Sequence, residues 1–211
     1  MTLFRLDASI NPANSSSRTI ADIVEAEWQA TNPGGPIVRK NLGTEPLPAT
    51  AWTGAVAASW TPEAARTEEQ RAALALAAAQ AEELRSADAA LFAVPLYNFG
   101  IPQHVKAWID VVMAGAKSAD EPLLEGKPVV LVVVRGGAYG PGTPREGWDH
   151  STDYLRRILG DVWKADLTIV EREFTLVGVN PALDGFKDLA AQFKDAAHAA
   201  AAAAGKSLAD A

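Results

Sequence analysis

Short apolar stretches alternate with longer amphipathic segments along the whole chain. The apolar stretches predict strands at residues 3–8, 37–39, 88–94, 128–134 and 166–176. The segments between and after them predict helices at residues 17–30, 62–87, 102–113, 151–159 and 181–204. Because strands that alternate with helices pair in parallel, this order favours an α/β fold whose parallel sheet is covered by helices on both faces.

Five strands and five helices in this order predict a flavodoxin-like five-stranded sheet with the strand order 2-1-3-4-5. A length of 211 residues fits a single domain, residues 1–211. Residues 41–62 interrupt the alternation with three prolines and two tryptophans, and they predict an irregular excursion. Trp52 and Trp60 in this excursion either line a pocket or pack it against the body. Thr61 and Pro62 are the predicted start of the helix that follows.

Composition excludes several classes of function. The formal charge is −7 without a lysine- or arginine-rich run, which argues against nucleic-acid binding. The chain has no cysteine, and His104, His150 and His198 are widely spaced, so no metal site is expected. The apolar run at 128–134 is too short to cross a bilayer, and the first residues lack the apolar core of a signal peptide. We therefore expect no membrane partner and a cytoplasmic location.

A serine-rich loop follows the first predicted strand and leads directly into the first helix. Ser15, Ser16 and Ser17 lie where the helix begins, and Ser9 stands at the end of the strand. A helix N-terminus offers unpaired N–H groups to an anion, and the hydroxyl groups add further donors. The pattern favours a phosphate-binding loop. The alternative is that Ser15 or Ser16 only caps the helix.

Two further loops follow the third and fourth predicted strands. The first, residues 95–102, carries Tyr97, Asn98 and Phe99, and the second carries Gly136 and Gly137. In the predicted strand order, strands one, three and four are neighbours, so the three loops converge at one edge of the sheet. Flat side chains, an amide and closely approachable backbone match the needs of an isoalloxazine ring. The alternative is that each loop is ordinary turn packing.

At this point the sequence resembles a known family. Pro-Leu-Tyr-Asn-Phe-Gly-Ile-Pro at 95–102, followed by Val-Lys-Ala-Trp-Ile-Asp at 105–110, resembles the flavin-loop signature of the FMN-dependent NADH-azoreductases, within the flavodoxin-like NAD(P)H:quinone oxidoreductases. The serine loop, Arg135-Gly136-Gly137 and the segment 124–127 resemble further motifs of that family in the same order. Val134 departs from the family, which commonly has serine there.

The resemblance implies non-covalent FMN in a homodimer with active sites at its interface. It implies NADH or NADPH as the electron donor and a quinone or azo compound as the aromatic acceptor, reduced by a ping-pong scheme. The cofactor-binding residues it implies are Ser9, Ser15, Ser16, Ser17, Pro95, Leu96, Tyr97, Asn98, Phe99, Val134, Arg135, Gly136 and Gly137. Two alternatives remain open, namely a specialised biosynthetic flavin reductase and a flavodoxin-like electron-transfer module.

No protein nucleophile is expected, because the cofactor carries the chemistry in such enzymes. Arg135 either balances the negative charge of the reduced flavin or forms a surface salt bridge. Tyr139 either donates a hydrogen bond to the substrate or flavin, or packs within its loop. His104, early in the helix that follows the loop at 95–102, is expected to be solvated or structural rather than a general acid.

Overall fold

The five strands form one parallel sheet. The structure is a computed structural model that describes residues 1–209 of the chain. The strands are β1 (Leu3–Asp7), β2 (Ile37–Asn41), β3 (Ala89–Pro95), β4 (Pro128–Val134) and β5 (Asp166–Arg172). All neighbouring strands pair in parallel, in the order β2-β1-β3-β4-β5. The predicted fold class and strand order are confirmed.

Six α-helices connect and cover the strands. They are α1 (Ser16–Thr31), α2 (Ala51–Ser59), α3 (Glu68–Ser86), α4 (Gln103–Gly115), α5 (Thr152–Arg156) and α6 (Lys187–Ala209). The chain continues beyond α5 as a wider helical turn at Arg157–Val162. Shorter helical turns lie at Pro12–Asn14, Glu63–Ala65 and Pro181–Phe186.

Two apolar layers bury the sheet. On one face, Phe4 and Phe92 pack with Trp108 of α4 and with Trp163, which follows α5. On the other face, α1 and α6 cover β3 and β4, and Trp28 of α1 is fully buried there. Strands that are buried on both faces must be continuously apolar, as β3 and β4 are. Only the ends of these strands are therefore available to bind a ligand.

A buried ion cluster fixes α1 against the sheet. Arg5 of β1 is 2% exposed and pairs with Asp7 at 3.0 Å and with Glu25 of α1 at 2.8 Å. Burial alone would lower the pKa of Arg5, but its hydrogen bonds to these carboxylates raise the pKa above the ordinary range. Arg39 of β2 pairs with Glu25 at 2.5 Å. The cluster joins β1, β2 and α1, and so it holds the N-terminus of α1 beside the end of β1.

The excursion at 41–62 differs from the sequence expectation because it contains helix α2. The buried residues of α2 are Ala51, Ala55 and Ala58, and the first two pack against α3 and α4. Alanine side chains give little apolar contrast, so the helical period was not evident from the sequence. The next helix begins at Glu68 rather than Pro62. Thr67 caps it, because its hydroxyl accepts from the N–H of Gln70 and the Gln70 side chain accepts from the N–H of Thr67.

The last strand is shorter than predicted, ending at Arg172 instead of Leu176. Phe174 adopts a positive φ of 55°, which turns the chain out of the sheet. The N–H groups of Thr175 and Leu176 then donate to the carbonyl oxygens of Arg135 and Gly136, at 3.1 Å each. These hydrogen bonds replace strand pairing and connect the end of β5 to the loop after β4.

Helix α6 approaches α1 closely along its alanine-rich part. Ala197, Ala201 and Ala204 are buried against this side of the sheet. A Cβ atom on Gly205 would lie 2.6 Å from the carbonyl oxygen of Val24, so only glycine permits this contact. Within residues 1–209, no helix is both long enough and apolar enough to cross a bilayer.

Candidate functional site

The loops after β1, β3 and β4 meet at the carboxyl edge of the sheet. The N–H of Ile10 donates to the Tyr97 hydroxyl at 3.2 Å, which joins the first loop to the second. The N–H of Leu96 donates to the carbonyl oxygen of Val134 at 2.9 Å. The N–H of His150 donates to the carbonyl oxygen of Phe99 at 2.9 Å. The structure thus brings the three loops together, as their positions in the sequence predict.

The serine loop combines helix capping with free donors. Ser9, Ser15 and Ser17 are buried, and Ser16 is half-buried. The Ser15 hydroxyl accepts from the N–H of Arg18 at 3.1 Å, so Ser15 is the cap that the alternative interpretation expects. The N–H groups of Ser16 and Ser17 lie in the first helical turn, where α-helices leave such groups without an internal partner. The loop therefore has both a cap and a helix end with free N–H groups.

Two residues outside the serine loop hold its backbone in place. The Nε2 atom of His104 lies 2.8 Å from the carbonyl oxygen of Ala8, so this histidine is structural. Gly43, just after β2, packs against the same loop. A Cβ atom at Gly43 would lie 2.0 Å from the carbonyl oxygen of Ser9. Sequence reasoning missed Gly43; its signal is a glycine directly after the strand that neighbours β1.

The loop after β3, residues 95–102, which we call the first ring loop, contains a tight turn with a strained backbone. Tyr97 and Gly100 exchange backbone hydrogen bonds at 3.2 and 3.0 Å. Asn98 and Phe99 between them have φ angles of 48° and 69°. Positive φ at both central residues defines a type I′ turn, which strongly prefers glycine at the second position. Phe99 there costs on the order of 1–3 kcal/mol, and the turn presents its ring 40% exposed.

In the loop after β4, residues 134–140, which we call the second ring loop, several carbonyl groups accept hydrogen bonds. The carbonyl oxygens of Arg135, Gly136 and Gly137 accept from the backbone N–H groups of Thr175, Leu176 and Phe174. A Cβ atom at Gly136 would lie 2.6 Å from the Leu176 side chain. The N–H groups of Gly136 and Gly137 are thus what this loop has to offer a ligand. Among the other predicted site residues, Pro95 and Val134 are buried strand ends and Leu96 is half-buried.

Arg135 is buried and forms a structural ion cluster. Its Nε donates to Asp149 at 2.6 Å and its Nη2 to Glu171 at 2.8 Å, while Glu173 lies 3.7 Å from Nη1. Burial opposes the charge, but Glu171 and Asp149 raise the pKa of Arg135 above its usual range. Its ion pairs are therefore largely buried and do not form the expected surface salt bridge. The expected contact to a reduced flavin stays a prediction.

Tyr139 belongs to a small aromatic group with Phe99 and Trp148. Its ring centroid lies 6.4 Å from that of Phe99, and Trp148 packs edge-on against Phe99 at 5.5 Å. The backbone N–H of Tyr139 donates to Glu173 at 2.8 Å. The packing interpretation of Tyr139 therefore holds, while its hydroxyl, 3.5 Å from Nη1 of Arg145, is the part that a ligand could reach.

A cavity of about 1070 Å³ opens between the loop after β4 and the start of α6. Its apolar wall contains Phe174, which stacks on Phe186 and Phe193 with centroid distances of 5.1 and 5.9 Å. Of the predicted cofactor residues, only Arg135, Gly136 and Gly137 line this cavity. The serine loop and residues 95–99 lie outside it. The cavity and the predicted flavin site are therefore neighbours that share one loop.

Trp52 and Trp60 are largely exposed in the single chain. They are 47% and 85% exposed on α2 and at its end, so the chain itself does not bury them. Neither residue is among those that line the cavity.

Comparisons with known proteins agree with this arrangement. Residues 1–204 match a family described by its flavodoxin-like fold. The chain is 38% identical over 203 residues to an FMN-dependent NADH:quinone oxidoreductase of Frankia casuarinae, covering 94% of this chain and 96% of the relative. It is 37% identical over 212 residues to a protein of the same name from Streptomyces avermitilis, covering 99% and 97%.

Solved structures share the fold. An azoreductase from Bacillus anthracis superposes with a TM-score of 0.77 and 22% identity, covering 98% of this chain and 99% of the other. An FMN-dependent NADH-azoreductase from the same species, in complex with FMN, superposes with a TM-score of 0.75 and 18% identity, covering 99% and 98%.

Replacing Gly43 with alanine tests whether this residue supports a ligand site. The added Cβ must displace the backbone at Ser9, so we expect FMN affinity to fall about tenfold, or 1.4 kcal/mol. Gly185→Ala is the matched control, because a Cβ there meets no atom within 4 Å. Flavin fluorescence titration gives both dissociation constants. Equal affinities for the two variants would contradict the role of Gly43.

Asp149 gives the ion cluster a defined pH dependence. Burial would raise its pKa, but hydrogen bonds from Thr152, Ser151 and Arg135 lower it. A carboxyl group whose pKa is lowered by folding stabilises the fold at pH values above its unfolded-state pKa. This stabilisation is lost as pH falls through the folded-state pKa. We expect Asp149→Asn to cost about 1–3 kcal/mol at neutral pH.

The difference in unfolding free energy between wild type and Asp149→Asn should shrink as pH falls below about 3.9, the unfolded-state pKa of Asp. Urea unfolding of wild type and variant at a series of pH values measures it. A difference that is constant down to the acid limit of folding would be evidence against this assignment.

Proposed function

The chain belongs to the family of proteins with a flavodoxin-like fold, together with the FMN-dependent NADH:quinone oxidoreductases, and from this premise we propose how its site works. The protein is an FMN-dependent oxidoreductase that takes electrons from NADH and passes them to a quinone or azo compound. One observation carries the assignment of the site. Three loops with complementary chemistry meet at one sheet edge and are hydrogen-bonded to one another.

The residues present fit FMN at both of its ends. Ser15, Ser16 and Ser17 would hold the phosphate through hydroxyl groups and the free N–H groups of the α1 terminus. The remaining proposed contacts to the ring come from the two ring loops, namely Pro95, Leu96, Tyr97, Asn98, Phe99, Val134, Arg135, Gly136 and Gly137. Ser9 lies between the two ends. A Cβ at Gly137 would lie 3.2 Å from Nη1 of Arg145, so an added side chain would crowd that guanidinium.

When bound, FMN supplies the hydride chemistry, because it accepts two electrons from NADH and returns two to an acceptor. The balanced reaction converts NADH, a proton and a quinone into NAD⁺ and a hydroquinone. The protein binds and orients the reactants and excludes water. No described side chain is needed as a nucleophile. The strained turn at Asn98 and Phe99 holds an aromatic face in a fixed position for this purpose.

The cavity beside the ring loops supports an enzyme that binds a small acceptor. A protein that only carries electrons needs an exposed flavin edge, whereas about 1070 Å³ of space with an aromatic wall suits a planar organic molecule. We propose that quinone or azo acceptors bind there. A cytoplasmic location, where NADH is available, remains part of the proposal.

Reduction of the bound flavin tests the proposed function. We expect purified protein loaded with FMN to be yellow and to lose its visible absorption when NADH is added without oxygen. Quinone or azo dye added next should restore the colour. The same titration with NADPH measures the preference between the two donors. Protein that folds but cannot be loaded with FMN would overturn the proposal, and slow reduction by both nucleotides would favour the electron-transfer alternative.

We further propose a homodimer that uses the face of α2. Trp60 is 85% and Trp52 47% exposed, and large aromatic side chains exposed together are typical of protein interfaces. Light scattering should give twice the chain mass. Trp60→Ser should shift the protein towards the monomer, while Val179→Ser, which changes a 75% exposed apolar residue outside α2, should not. A monomeric wild type at micromolar concentration would refute the homodimer.

A further inference from the structure

The ion cluster of Arg135 leaves the flavin site with an unbalanced charge. One guanidinium faces three carboxylates there, those of Asp149, Glu171 and Glu173. A flavin that has received two electrons as a hydride gains negative charge, and a surplus of carboxylates nearby opposes that gain. A second cation close to the ring loops would therefore favour the reduced form.

Arg145 is placed to be that cation. Its guanidinium carbon lies 5.9 Å from the ring centroid of Phe99 and 5.7 Å from that of Tyr139. Its Nη1 atom is 3.2 Å from the position of a Cβ on Gly137. Among residues 1–209, no carboxylate forms an ion pair with Arg145. Unlike Arg135, it has a charge that no neighbouring carboxylate balances.

Arg145 lies on an exposed turn whose backbone is held by hydrogen bonds. The N–H of Trp148 donates to the carbonyl oxygen of Arg145 at 3.1 Å, and the N–H of Gly142 donates to Glu146 at 2.7 Å. The turn therefore keeps the guanidinium close to Phe99 and Gly137.

We propose that Arg145, which lies beside Phe99, Tyr139 and Gly137, balances the negative charge of the reduced flavin. This inference rests on the proposed function, since it concerns the same site. It assigns to Arg145 the electrostatic role that the sequence alone suggested for Arg135. Reduced FMN gains more from this contact than oxidised FMN, so Arg145 raises the reduction potential of the bound cofactor.

The midpoint potential of bound FMN tests this role directly and does not depend on turnover. We expect Arg145→Gln to weaken the binding of reduced FMN about tenfold more than that of oxidised FMN. For a two-electron couple this lowers the midpoint potential by about 30 mV. Arg145→Lys keeps the charge and should recover at least half of the shift. Arg157→Ala is the control, because it removes an exposed arginine, here paired with Asp161, away from the site.

The outcomes are distinguishable. If wild-type protein binds no FMN, the proposed function fails and the inference fails with it. If FMN binds and is reduced by NADH, but Arg145→Gln leaves its potential unchanged, the proposed function stands and the role of Arg145 is overturned. A potential that falls equally in the Gln and Lys variants would also overturn it, because the effect would then come from packing and not from charge.

Discussion

A parallel sheet that is buried on both faces leaves its ligand only one place to bind. In this protein α1 and α6 cover one face and the helices α3, α4 and α5 cover the other, so side chains of the central strands meet only other side chains. Backbone groups that have left the sheet remain at the carboxyl ends of β1, β3 and β4. Because unpaired backbone groups must find partners, these loops bind one another and leave a defined set of N–H groups for a ligand.

The hydrogen bond from Ile10 to the Tyr97 hydroxyl shows how this set is made rigid. It joins the loop proposed to hold phosphate to the loop proposed to hold the ring. The strain at Phe99 is maintained by the same arrangement, since the His150 N–H holds its carbonyl group. An exposed aromatic face in a fixed position is what that strain provides.

The two arginines that follow β4, Arg135 and Arg145, differ in burial and in ion pairing. Arg135 is buried among carboxylates and joins the loop to α5 and β5, where its charge stabilises the fold. Arg145 is exposed on a turn bounded by glycines and keeps a charge that can act on a ligand. The sequence left two roles open for Arg135, a contact to the reduced flavin and a surface salt bridge, because that residue belongs to the recognisable motif. Its burial and its ion pair with Glu171 of β5 were not evident from the sequence.

The sequence by itself determined the class of fold, the strand order and the three loops that converge, because these follow from local hydrophobic patterns and from the geometry of parallel strands. It missed helix α2 and the end of β5, since alanine packing and the turn at Phe174 depend on neighbours distant in the chain. It also placed the start of α3 at Pro62 and overlooked the capping box of Thr67 and Gln70, which is a local signal. Only the tertiary structure identified Gly43 as a support of the serine loop and separated the roles of Arg135 and Arg145. Those properties arise from contacts between segments that are far apart in the chain, and the local sequence pattern does not give the distances between such segments.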